Sequence, residues 1–151
     1  MNLSALSQYK AVPYVDGGRV VSDDKEESGL DCFGLVRHAL HYVFDGPLLD
    51  SFFGIFRADL LQMTNEFNAA IDETKPAIAQ GYSFELCRPE AGALACCFHK
   101  SQNGMIFHHI GICIDATNVM HTSAKHGYSV LPVRAFRRLA NHVEYYRCVK
   151  R

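Results

Sequence analysis

Gly29-Leu30-Asp31-Cys32-Phe33-Gly34-Leu35-Val36 is the stretch where the chain changes character. The first thirty residues read as irregular, punctuated by Pro13, Gly17 and Gly18 and by a charged run over Ser22–Ser28. From Asp31 onward, Cys32, Leu35, Val36, Ala39, Leu40 and Val43 recur at helical spacing. Asp31 is placed to cap that helix, and Gly46-Pro47 stops it. The cysteine therefore falls in the first turn. There, unsatisfied N–H groups and the positive end of the helix dipole favour a thiolate. Taken alone, such a cysteine packs the turn more often than it reacts, so partners have to be sought.

Working outward, a second helical pattern covers about 57–72, with Leu60, Met63, Phe67, Ala70 and Ile71 on one face and Pro76 and Gly81 after it. Strand patterns follow at Ala93–Phe98, Ile106–Ile114, Val119–Ser123, Ser129–Val133 and Val143–Val149, with a short helix at about 134–140. Helix first and about five strands after predict an α+β domain with a central antiparallel sheet. The 151 residues fit one domain, 1–151, with 47–88 as a helical insertion.

A thiolate nucleophile needs an imidazole to take and return its proton. Eight histidines are present. His38 and His41 lie more than a turn beyond Cys32 on its own helix. His126 and His142 read as surface residues, and His99 ends a strand. Strict alternation puts Phe107, His109, Gly111 and Cys113 on one strand face and His108, Ile110, Ile112 and Ile114 on the other. Gly111 would leave open space beside His109, which favours His109 over His108; a buried structural histidine is the plainer reading. A turn at Asp115–Asn118 folds back a strand bearing His121, near enough to orient His109. Asp115 is the carboxylate rival for that task but belongs to the turn. Tyr14 precedes the helix by a loop. Its hydroxyl, with the Cys32 N–H, could donate to a developing oxyanion.

Composition excludes several classes. A net charge of −1 argues against a nucleic-acid partner. The late cluster Arg134, Arg137, Arg138, Arg147, Lys150 and Arg151 reads as a solvated face, with a carboxylate-docking rim as the lesser reading. No run approaches the length needed for membrane insertion. Met1–Val12 lacks the basic start and apolar stretch of a signal peptide, which predicts synthesis in the cytoplasm. The six cysteines contain no CxxC pair, so neither a structural zinc site nor any cofactor is expected, and most read as core residues.

The residues just described resemble the NlpC family of papain-like cell-wall cysteine peptidases. The likeness rests on Pro13-Tyr14 with Gly17-Gly18-Arg19, Gly29–Val36, Pro89-Glu90-Ala91-Gly92-Ala93, His109-Ile110-Gly111-Ile112 and Met120-His121. It spans most of 9–133. Phe33 stands where many members carry Ser or Trp, and Ala93 replaces a frequent acidic residue. The resemblance implies a papain-like fold, its nucleophile helix packed on the sheet. Cys32, His109 and His121 would be nucleophile, base and orienting residue, and Tyr14 and Asp31 would lie on the oxyanion and substrate side. It implies hydrolysis of peptidoglycan stem peptides through a thioester, commonly at the γ-D-glutamyl–diaminopimelate bond. The Pro-Tyr-x-x-Gly-Gly-Arg lead-in is most similar to phage tail-tip members. That implies action at the cell wall or periplasm after delivery by a tail or a secretion machine, with proteins of either as partners. The rival readings are a cysteine transferase or deamidase acting on a protein, and a non-catalytic tail module.

Overall fold

In the computed structural model, residues 1–49, 62–63, 81–102 and 104–150 are described. A 3-10 helix over Leu3–Ala11 opens the chain, followed by the two-residue strands β1 (Arg19–Val20) and β2 (Gly29–Leu30), which pair antiparallel. Helix α1 runs over Cys32–Tyr42, as its apolar spacing predicts. The Asp31 carboxylate accepts the Gly34 N–H at 2.7 Å and so fixes the first turn. At the other end Asp45 takes a left-handed conformation (φ 59°), and the Gly46 N–H returns to the Leu40 carbonyl at 2.8 Å.

The remaining elements are β3 (Gln62–Met63), β4 (Tyr82–Cys87), β5 (Leu94–Ser101), β6 (Gly104–Cys113), β7 (Asn118–Ser123), β8 (Gly127–Pro132), α2 (Val133–Phe136) with a 3-10 turn over Arg137–Leu139, and β9 (His142–Lys150). The fold is α+β. Six antiparallel strands lie in the order β4-β9-β5-β6-β7-β8, and β3 pairs parallel with β6 at Ile106 and Phe107.

Three sequence expectations change. The opening thirty residues hold a 3-10 helix and a small strand pair. Tyr82–Cys87, placed in the helical insertion, is a strand paired with β9 along its length. Its alternating Tyr82, Phe84 and Leu86 is a period-two pattern, and the C-terminal strand supplies the partner. Within the helical pattern of about 57–72, Gln62–Met63 is extended; the rest of that pattern lies outside the described residues.

The sheet carries an apolar layer on each face. On one, Leu35, Val36, Ala39 and Leu40 of α1 pack with Leu94, Phe98, Phe107, Ile110, Ile112, Met120 and Tyr146. On the other, Phe136 of α2 lies with Ala95, Cys97, Cys113, Val119 and Tyr145. Cys96, Cys97 and Cys113 are buried and all six thiols are free, so these three act as small core residues. Among the described residues no helix is long and apolar enough to cross a membrane.

Candidate active site

The nucleophile candidate sits in a knot of very close backbone contacts. A Cβ on Gly34 would lie 2.1 Å from the Gly18 carbonyl oxygen, and one on Gly18 would lie 2.5 Å from the Gly29 carbonyl carbon. Glycine at both positions lets the 17–19 loop press directly on the start of α1. From there Arg19 donates to Asp31 Oδ1 at 2.6 Å and stacks over the Phe33 ring, 5.1 Å from its centroid. The Gly17 N–H reaches Asp31 Oδ2 at 3.1 Å. The Asp31 carboxylate thus serves three donors within the protein. It positions the helix start, and it also lines the cleft described below.

Cys32 follows at the first helical position and is 8% exposed. Its burial works against the thiolate that a helix start favours. Burial, and after it the negative charge of Asp31, push the thiol up to about 12, against weaker stabilisation by the Ile110 and Phe33 N–H groups and by Arg19. The resting group is a neutral thiol.

His109 and His121 meet as the sequence reading anticipated. β6 and β7 pair at Ile112–Met120 and Cys113–Val119. Continuing that register puts His121 opposite Gly111, and His109, two residues along from that glycine, brings its Nε2 to 2.9 Å from His121 Nδ1, with the rings nearly perpendicular at 83°. One proton is shared between those nitrogens, and His109 Nδ1 is left as the other reactive atom of that ring. Phe136 closes over the pair, 6.1 Å from the His109 ring and 5.5 Å from the His121 ring. Burial first, and then neighbouring His121 and His108, hold His109 down to about 3. His121 is also lowered, by burial and by His126. Both are neutral near pH 7.

A cleft of about 280 Å³ joins these parts. Cys32 and His109 both line it, with Tyr14, Asp16, Asp31, Phe33, His108 and the β7–β8 residues Thr122, Ser123, Ala124 and Lys125. Tyr14 is held there because its backbone bridges Leu30, with the Val15 N–H on the Leu30 carbonyl at 3.1 Å. His121, 5% exposed, stands behind His109 and does not line the cleft.

β6 departs from its sequence pattern in two ways. Strict alternation fails at His108. Cys97 pairs with His109 and Phe98 with Phe107, so His108 is an extra residue in a β-bulge. Phe107 therefore joins Ile110 and Ile112 on the α1 side, and both His108 and His109 reach the cleft. Gly111 does not border open space. A Cβ there would meet Val119 Cγ1 at 2.7 Å, the Met120 oxygen at 3.0 Å and Phe136 Cε2 at 3.2 Å, so the glycine allows the close approach of β7 and α2.

The other candidates lie elsewhere. His38 bonds the Tyr9 hydroxyl at 2.6 Å, His41 faces the Gly46 carbonyl at 2.9 Å, and His142 pairs with Glu144 at 3.0 Å. Asp115 holds its turn through the Thr117 and Asn118 N–H groups, both at 2.8 Å, and those bonds lower its pKa. Phe136 and the β7–β8 wall are the site features that the sequence did not disclose, and Arg19 entered only as part of the lead-in motif, with no role assigned. No family model, no curated protein and no solved structure matches the chain.

Proposed function

We propose that the chain is a cysteine hydrolase of papain-like construction that cleaves amide bonds in peptidoglycan stem peptides. The observation that carries the reading is one cleft lined by both Cys32 and His109, with Nε2 of His109 held by His121. The likeness of the Asp31–Val36 and His109–Ile112 stretches to the NlpC family supports the substrate class and the γ-D-glutamyl–diaminopimelate bond. Delivery by a phage tail or a secretion machine belongs to the same reading.

The chemistry follows from a resting pair that is neutral on both sides. A substrate carbonyl enters the cleft beside Cys32. As the sulfur forms its bond to the carbonyl carbon, the thiol proton passes to His109 Nδ1. His121 Nδ1 accepts the Nε2–H of the resulting imidazolium and fixes the ring. The Cys32 N–H and the Tyr14 hydroxyl face the oxyanion. His109 then protonates the leaving amine, the C–N bond breaks, and a thioester remains. Water, deprotonated by His109, attacks the thioester and releases the carboxylic acid and the free thiol. Burial keeps charge out of the resting site and lets it develop only with bound substrate.

The test is incubation of the protein and of Cys32→Ala with purified stem peptides, followed by mass spectrometry. The expected result is cleavage by the wild type alone. Cleavage surviving in Cys32→Ala removes that residue from the mechanism. No cleavage by the wild type, with labelling of a host protein, replaces hydrolysis with transfer.

A further inference from the structure

The α2 side of the sheet carries a second hollow, of about 390 Å³, that the cleft chemistry does not use. Two exposed guanidiniums from distant parts of the chain line it. Arg88 comes from the β4–β5 connection and Arg137 from the 3-10 turn after α2. Among the described residues no carboxylate pairs with either. Glu85 and Glu90 both face Arg147 at 3.7 Å, and Glu144 is taken by His142 and by the Tyr146 hydroxyl.

Tyr145 lines the same hollow. It is 6% exposed, its hydroxyl is shielded from solvent, and a side-chain hydrogen bond from Arg137 works against the rise in pKa that burial causes. A guanidinium can only donate, so that bond leaves the hydroxyl proton without an acceptor, which is costly at that depth unless a ligand answers it. The hollow therefore offers donors and positive charge: two guanidiniums and one hydroxyl. It calls for a ligand that only accepts hydrogen bonds and carries about two negative charges.

We propose that Arg88, Arg137 and Tyr145 form a binding site for a phosphate-sized dianion, either free or as the phosphomonoester end of a larger molecule. The proposal stands independently of how the cleft is read.

Titration calorimetry on the full chain at about pH 8 tests it, with inorganic phosphate as the probe against chloride and acetate at matched ionic strength. Phosphate is expected to bind with measurable heat while chloride and acetate do not. Arg88→Gln and Arg137→Gln should each weaken phosphate binding by about tenfold or more, since each removes a charge-assisted bond. Both arginines are exposed, so these variants should keep the wild-type circular dichroism. Tyr145→Phe should weaken binding by a smaller factor. Glycerol phosphate binding as tightly as inorganic phosphate assigns a monoester ligand; weaker binding assigns the free ion. Phosphate binding no tighter than acetate, or unchanged in both arginine variants, overturns the proposal.

Discussion

Asp31→Ala is the substitution whose cost the structure defines best. The carboxylate receives the Gly34 N–H at 2.7 Å, the Gly17 N–H at 3.1 Å and the Arg19 guanidinium at 2.6 Å, and its side chain is only 10% exposed. Losing the helix cap costs about 1 kcal/mol. Losing a charge-assisted bond to Arg19 costs roughly 1.5–3 kcal/mol, the lower end being appropriate because the arginine side chain keeps 25% of its exposure. The Gly17 N–H points into a partly buried loop and adds a few tenths. The sum is about 3 kcal/mol, or roughly 6–12 °C in Tm for a chain of this size. Asp31→Asn keeps an acceptor for Gly34 and loses the charge, so about 1–2 kcal/mol is expected. Urea unfolding followed by circular dichroism measures both. A double-mutant cycle with Arg19→Met should give a coupling of at least about 1 kcal/mol. The reasoning fails if Asp31→Ala costs less than about 1 kcal/mol, or if Asn and Ala cost the same.

Four further outcomes are expected. His109, His121, His108 and His38 all bind protons less readily in the fold than in the unfolded chain, so unfolding takes up protons below about pH 6.5. Stability at pH 7 should therefore fall as the pH drops toward about 3, and His109→Gln should flatten that slope in urea titrations at several pH values. Gly111→Ala forces a Cβ to within 2.7 Å of Val119 Cγ1 and should cost about 1–3 kcal/mol, read as a lowered Tm. Cys32, buried and with its thiol raised to about 12, should react with iodoacetamide near neutral pH at least about tenfold more slowly than free cysteine; labelling at the free rate would contradict the neutral resting thiol. If stem-peptide cleavage is observed, His121→Ala should lower kcat/KM on the order of 100-fold with KM little changed, and His121→Asn, which still offers an acceptor to His109 Nε2, should restore much of it.

What the chain discloses before folding is its local chemistry. Asp31 and the spacing from Cys32 to Val43 specify α1 because cap and apolar stripe are both short-range signals. The β6–β7 turn is legible for the same reason: Asp115 bonds to residues two and three positions on. The meeting of His109 with His121 follows from that turn once its register is known. The bulge at His108 is set by how β5 fits against β6, so alternation along one strand could not disclose it. Gly111 carries a packing demand from Phe136, which lies on α2, and the sequence marks the glycine without marking what approaches it. The neutrality of Cys32 escaped for a similar reason. A helix start is visible in sequence; the depth at which it is buried is not.

The strand order has a consequence for how the molecule is made. β9 lies between β4 and β5. β4 pairs with nothing else among the described strands, and β5 keeps one bare edge until residues 142–150 arrive. During synthesis the helix and the β5–β6 and β7–β8 hairpins can form from neighbouring segments. The middle of the sheet cannot close until its latest-made described strand is inserted. A nascent or truncated chain lacking β9 would present an unsatisfied edge along Leu94–Phe98, an apolar run inviting pairing with other chains. The step that closes this sheet is then a long-range one, slow compared with the local hairpins.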